Sequence, residues 1–165
     1  ALARESGLRV GLLGGAEAWM VAPQLAATRT PVVTTALENI PSSFAALGQR
    51  QENAALLRKA GVDLVLAAGA GEYFNVRNVR QHAGNAVAYG LPWDEALRAV
   101  TLAPAELFGV ADQLGTLQPG RDANLVVWDG DPFEFATRAE RVFVRGREVQ
   151  GPSRQDLLIE RYRRK

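Results

Sequence analysis

The residues of this chain best suited to hold a ligand lie in the run E-Y-F-N-V-R-N-V-R, Glu72–Arg80. Asn75, Arg77 and Asn78 supply hydrogen-bond donors within about one turn, and an arginine can grip a carboxylate through two parallel bonds. A carboxylate-bearing substrate is therefore the ligand this run would suit. It follows an apolar, strand-like stretch and opens a helix-like one, which is where barrel and open α/β folds place their ligands. A plainer reading has Asn75 capping that helix while Arg77 and Arg80 pair with surface acids. The residues alone leave both readings open.

Other chemistries are excluded more firmly. A catalytic zinc needs about three protein ligands of His, Asp, Glu or Cys type. The chain has a single histidine, His82, and no cysteine, so it can build neither a histidine-rich site nor a thiolate site, and no disulfide. A lone histidine on a helix reads as a packing or surface residue. Gly14-Gly15-Ala16-Glu17, between a strand and a helix, lacks both G-x-G-x-x-G and a G-K-[ST] ending. Glu17 would also repel a phosphate there, so the stretch reads as a tight turn. Trp19, Trp93 and Trp128 are too dispersed for a stacking platform and read as packing anchors.

The elements that must position these residues follow from the apolar pattern. Leu8–Leu13 reads as a buried strand ending at Gly14-Gly15, and Glu17–Ala27 as a helix with Ala18, Val21, Ala22 and Leu25 on one face. Pro31–Thr35 and Val62–Ala67 read as two further strands. Pro41, Ser42 and Ser43 suit a short helical turn. A helix carrying Asn53, Leu56, Leu57 and Ala60 ends at Gly61, and one carrying Val79, Ala83, Ala86 and Val87 ends at Gly90. Strand–helix alternation of this kind predicts a parallel sheet with right-handed crossovers. Beyond Gly90, Pro92, Asp94 and Glu95 open a helix, and a shorter one runs from near Pro104 to Gly109. Pro119-Gly120 fits a type II turn. Asn124–Trp128 reads as a strand, and Arg145-Gly146 closes a hairpin between Val142–Val144 and Arg147–Val149. Gln155–Arg164 reads as a terminal helix.

With 165 residues, 47% of them apolar, the chain can bury a real core. Lysine plus arginine number 19 against 18 acidic residues, which argues against nucleic acid or an anionic membrane as partner. The basic end (Arg161, Arg163, Arg164, Lys165) reads as a solvated tail. No apolar run reaches the ~18 residues of a membrane span. The cytoplasm is slightly favoured as compartment, although a chain opening at Ala1 leaves room for an upstream targeting segment.

Three stretches carry a resemblance. A-G-N-A-V-A-Y-G-L with E-A-L-R-A-V-T-L-A-P-A-E-L-F-G-V is the first, L-G-T-L-Q-P-G-R-D-A-N-L-V-V-W-D-G-D-P-F the second, and V-F-V-R-G-R-E-V the third. They resemble the ending of the metal-dependent amidohydrolases, in particular the imidazolonepropionase-like and prolidase-like branch. G-G-A-E-A-W, P-V-V-T-T-A-L-E-N-I-P-S-S-F and N-A-A-L-L-R-K-A-G-V are similar to the preceding barrel segments of the same branch. The resemblance implies an α/β fold: the C-terminal part of a (β/α)8 TIM-type barrel, about three βα units, with a small β segment of a flanking β-sandwich. It implies a partial barrel over 1–113, the sandwich segment over 114–150 and a helical tail over 151–165. A closed barrel takes about 250 residues, so less than half of one is present.

The family's chemistry uses one or two divalent metals, zinc for example, held by an H-x-H pair, further His or Lys ligands and an aspartate on the last strand. By the frame of G-V-D-L-V-L-A-A-G-A the aspartate position falls on Gly69, flanked by Ala68 and Ala70, none of which ligates metal. No catalytic or metal residue is therefore expected in this chain, and Asn75, Arg77 and Asn78 remain the substrate-binding candidates. Ala103 stands where relatives carry an asparagine able to cap the short helix, at a cost of about 1 kcal/mol. Two readings follow. In one, the chain is the C-terminal portion of a hydrolase acting on C–N bonds of amide, cyclic amide or peptide-like substrates, with its metal site built elsewhere. In the other, it is a non-catalytic descendant serving as a binding or structural module. On either, a half barrel with open strand edges predicts self-association or docking to an N-terminal half.

Overall fold

The computed structural model describes residues 7–37, 39–41, 43–69 and 73–163. Three short strands, β1 (Leu12–Leu13), β2 (Val32–Thr34) and β3 (Leu64–Leu66), form a parallel sheet in the order β1-β2-β3. Leu12 stands level with Val32, and Val32 with Leu64. Side chains alternate across a strand, so Leu12, Val32 and Leu64 share one face and Leu13, Val33 and Val65 the other. The first face is covered by helices. Val32, Leu64 and Leu66 are buried there with Leu57 and Ala54 of α2 (Asn53–Lys59) and Ala83 and Ala86 of α3 (Val79–Ala88). Across the sheet Leu13 is 66% exposed.

The Leu8–Leu13 expectation is only partly met. Pairing begins at Leu12, and Leu8, Val10 and Leu13 are exposed rather than buried. The cause is non-local: β2 starts at Val32, and β1 lies at the edge of the sheet, so residues 8–11 have no strand beside them. The helix expected over Glu17–Ala27 divides into a 3₁₀ turn, Ala18–Val21, and α1 (Ala22–Ala27). Pro23 near the start of α1 has no N–H to carry a continuous helix through this point. The turn expected at Pro41–Ser43 appears as a 3₁₀ turn over Phe44–Ala46; Ser42 lies outside the described residues.

Gly61 and Gly90 stop α2 and α3 with φ of +86° and +96°. Pro92 proves to be the N-cap of α4 (Trp93–Val100) rather than part of its first turn, where Asp94 and Glu95 do sit. Arg58 of α2 meets Glu95 at 2.7 Å, and that bond holds the guanidinium above its ordinary pKa. Thr101 is the N-cap of α5 (Leu102–Leu107). Ala103 therefore lies inside the helix, 4% exposed, and its substitution for asparagine removes no cap.

The second sheet is antiparallel, in the order β4 (Leu125–Trp128), β5 (Ala139–Val144), β6 (Arg147–Glu148). Arg145 and Gly146 close its hairpin, both with positive φ, +50° and +74°, as a tight two-residue turn requires. α6 (Arg154–Tyr162) ends the described chain.

Candidate functional site

The strands run parallel, so their C-terminal ends open onto one edge of the sheet. That edge presents Gly14 and Gly15 after β1, Thr35 and Ala36 after β2, and Ala67, Ala68 and Gly69 after β3, followed by a 3₁₀ turn over Tyr73–Asn78. The loops are braced by two side-chain clamps that the sequence reading missed.

The first clamp joins the turn after β1 to the loop before α2. Glu17 Oε1 accepts the Gly48 N–H at 2.6 Å, and the Trp19 indole donates to the Gly48 carbonyl at 2.7 Å. A Cβ on residue 48 would lie 2.7 Å from Glu17 Oε1 and from the Met20 methyl, so a larger residue here would push both side-chain ends aside and disturb the clamp. Asn53, fully buried, accepts the Trp19 N–H and donates to the Gly15 carbonyl, both at 3.1 Å. Arg50 lies 4.9 Å over the Trp19 ring. Glu17 is thus a bracing residue, which explains a carboxylate in a turn otherwise suggestive of a phosphate loop.

The second clamp holds the chain leaving β2. His82 Nδ1 accepts the Ala36 N–H at 3.0 Å, and Asn85 Nδ2, one turn further along α3, donates to the Ala36 carbonyl. Asn85 also reaches Gln51 Oε1 at 3.3 Å. Because a backbone N–H can only donate, Nδ1 carries no proton in this arrangement. His82 is 3% exposed; it is a buried structural group, in keeping with the packing reading. The signal that could have found both clamps is the placement of Asn53, His82 and Asn85 on the apolar faces of their helices, where a polar residue must find a partner.

The three binding candidates do not form a cap. The N-cap of α3 is Asn78, without a side-chain bond to the helix, while Asn75 and Arg77 lie in the preceding 3₁₀ turn. Arg77 is exposed, and Asn75 and Asn78 are half-buried. Glu72 lies outside the described residues. Arg80 does not seek a surface acid. It donates to the Pro132 and Glu134 carbonyls at 2.9 and 3.0 Å and lies 5.3 Å from the Trp128 ring centre. Asn39, 1% exposed, donates to the Thr35 carbonyl at 3.0 Å, and its Oδ1 has no partner among the described residues.

This donor set does not fit a divalent metal. No group of three or more His, Asp or Glu side chains gathers among the described residues. Gly69 has φ +117°, a conformation that side-chain-bearing residues rarely adopt. What the edge offers instead is amide and guanidinium hydrogen bonding.

A parallel sheet backed by helices, with its loops at one end and a small antiparallel sheet beside it, is a mixed α/β architecture consistent with part of a TIM-type barrel. The chain belongs to the Amidohydrolase family, which it matches over residues 15–150. It is 29% identical over 116 residues to the imidazolonepropionase of Maricaulis maris, a match covering 68% of this chain and 29% of that protein. Among solved structures, an amidohydrolase from Thermotoga maritima superposes with a TM-score of 0.81 at 32% identity, covering 90% of this chain and 39% of the other. A prolidase crystallised with N-methylphosphonate-L-proline gives a TM-score of 0.60 at 27% identity, over 90% of this chain and 41% of that one. The chain thus spans well under half the length of these relatives. Among the described residues, no helix is long and apolar enough to cross a membrane.

Proposed function

We propose that this chain is the C-terminal portion of an amidohydrolase-family hydrolase that acts on a C–N bond in an amide, cyclic amide or peptide-like substrate. Its own part is to scaffold the site and hold the substrate. The observation that carries this reading is the composition of the strand-end edge: Asn75, Arg77 and Asn78 in the 3₁₀ turn after β3, beside loops braced at Gly48 and Ala36, with no acid–imidazole cluster among the described residues. A substrate carboxylate would lie against Arg77, with the two asparagines bonding its amide. A divalent metal such as zinc, and the base that activates water, belong on this reading to the part of the protein beyond this sequence. The division into a partial barrel of about three βα units (1–113), a sandwich segment (114–150) and a helical tail (151–165) is part of the same proposal.

The donor set also favours a second reading, a non-catalytic descendant that retains the binding edge. The two are separated by expressing the chain together with its upstream coding sequence, then measuring bound metal and hydrolysis of N-acyl amino acids and dipeptides. Stoichiometric metal and turnover support the hydrolase, with Arg77→Ala raising KM about tenfold at nearly constant kcat. An upstream segment without H-x-H, no metal and no turnover would leave the binding module.

A further inference from the structure

The chain holds one histidine and no cysteine. Between about pH 5 and 8 that histidine is the side chain whose ordinary titration range is crossed, and it is a buried one, on the inner face of α3. Its Nδ1 accepts the Ala36 N–H at 3.0 Å. A backbone N–H cannot accept in return, so a proton on Nδ1 and this bond exclude each other. Of the charged and titratable groups on α3 and the elements packed against it, Arg58 pairs with Glu95 and Arg98 with Glu106, while Arg80 is taken up by the Pro132 and Glu134 carbonyls. Lys59, Asp63, Arg77, Tyr89 and Asp94 are exposed. Glu38 and Glu72 lie outside the described residues. An acid beside the ring would move the exchange of bond for proton to higher pH and leave the exclusion intact.

The bond lies at one of two points that tie down the loop leaving β2. Of the described residues between Leu37 and Leu47, Asn39 alone is buried, and the large side chains of Ile40, Phe44 and Leu47 are exposed. The loop is instead held at its ends, at Ala36 by His82 and Asn85 and at Gly48 by Glu17 and Trp19. It also carries a standing cost. Asn39 Oδ1 is buried without a partner among the described residues, and water would reach it once the loop opened. A segment with so few buried contacts opens at a small fraction of the global unfolding free energy. We propose that His82 is a proton-operated latch on this loop: neutral, it holds Ala36 in place, and protonated at Nδ1 it lets Ala36 go and the loop opens at the strand-end edge. The closed form shuts the proton out and the open form takes it from solvent. The latch is therefore fully engaged above the ordinary histidine range and loses its hold as pH falls below about 6.5. Its bearing on substrate rests on the reading of this edge as a binding site, whereas the latch itself does not.

The test uses the whole chain, with the proton as its only ligand. The ring nitrogens of His82 are followed by NMR from pH 8 to 5, together with exchange of the Ala36 amide. The expected result is an unprotonated Nδ1 at pH 8 and an Ala36 amide that opens about tenfold more readily per pH unit below about 6.5, beyond its intrinsic pH dependence. The Ala67 amide, bonded to the Thr34 carbonyl in the sheet, should change less than about twofold over the same range. His82→Asn keeps an oxygen close to the place of Nδ1 but does not titrate, so Ala36 should stay protected with no pH dependence. His82→Phe offers no acceptor, and Ala36 should open at least about tenfold more readily at pH 8, again without pH dependence. Opening of Ala36 that stays constant from pH 8 to 5 in the folded native chain overturns the proposal. So does an Nδ1 found protonated while Ala36 remains protected, and these two native-chain readouts decide even where a variant fails to fold. A pH dependence that survives in either variant also overturns it and assigns the effect to carboxylates. No substrate enters the measurement, so a binding reading that fails leaves the latch standing, and the reverse.

Discussion

At the scale of single residues, the candidate site is held by groups whose contacts are long-range. Asn53 joins Trp19 and Gly15, 34 and 38 positions away, and His82 reaches Ala36 across 46. Asn53→Ala leaves a half-buried backbone N–H and a half-buried carbonyl without this partner, which should cost about 1–3 kcal/mol in urea unfolding. Gly84 offers a test in which the sign matters. Glycine within a helix normally costs up to about 1 kcal/mol against alanine, so Gly84→Ala ought to stabilise α3. Here an added Cβ would sit 2.6 Å from the Phe133 carbonyl oxygen, a backbone atom that cannot swing aside. The clash outweighs propensity, and a net loss of about 1–3 kcal/mol is expected; a stabilised variant would show that the 132–134 loop yields. Gly69→Asp, a carboxylate at the position where the resemblance would put the family's aspartate, should give no zinc binding by calorimetry, and a stability loss of at least about 1 kcal/mol from its φ of +117°.

Among the secondary-structure elements, the sequence was informative wherever the determinant was local. The glycine stops at Gly61 and Gly90, the Arg145-Gly146 turn and the acidic first turn of α4 were all legible because each depends on a few adjacent residues. The truncation of β1 was not, because a strand exists only where another lies beside it, and that neighbour is absent from residues 8–11. The break at Val21 was passed over although its cause is local, since Pro23 has no N–H to continue the helix. The binding candidates were legible as types and not as geometry: Asn75 looked like a cap, yet the helix starts after Asn78. At α6 the local rule yields a pH prediction. The Ser153 side chain and N–H hold the Asp156 carboxyl below its ordinary pKa. A carboxylate whose folded value lies below its unfolded one stabilises fully above the unfolded range, and that stabilisation is lost as pH falls through the folded value. Amide exchange in residues 154–158 should therefore quicken, beyond its intrinsic pH dependence, once pH falls below the ordinary aspartate value of about 3.9. Asp156→Ala should show the frayed helix at neutral pH already, and a helix equally protected in both would rule out the capping box as its anchor.

For the molecule as a whole, the question is whether the two sheets behave as one unit, because a scaffold can hold a site in register only if its parts do not open independently. One joint carries most of the connection between α3, α4 and the loop after β4. Arg80 spans the Pro132 and Glu134 carbonyls. The Trp93 indole N–H bonds the Asp131 carboxylate at 2.9 and 3.1 Å, and the Trp93 and Phe133 rings lie 5.2 Å apart. Both bonds leave one guanidinium nitrogen, Nη1, and the planar guanidinium at the same time lies 5.3 Å from the Trp128 ring centre, a placement that an ammonium on a flexible stem does not reproduce. Arg80→Lys should therefore weaken the joint although the charge is kept. Summing two charge-assisted bonds with one aromatic contact gives about 3–5 kcal/mol of coupling. In the native chain, exchange of the amides in residues 125–148 should then require nearly the same free energy as exchange in residues 64–88. In Arg80→Ala with Trp93→Ala, the 125–148 segment should open more than a hundredfold faster, while 64–88 changes by less than tenfold. Equal acceleration of both segments would mean that the sheets are coupled through α4 and α5 instead, and that the D-G-D-P-F loop rests on the barrel side without holding it.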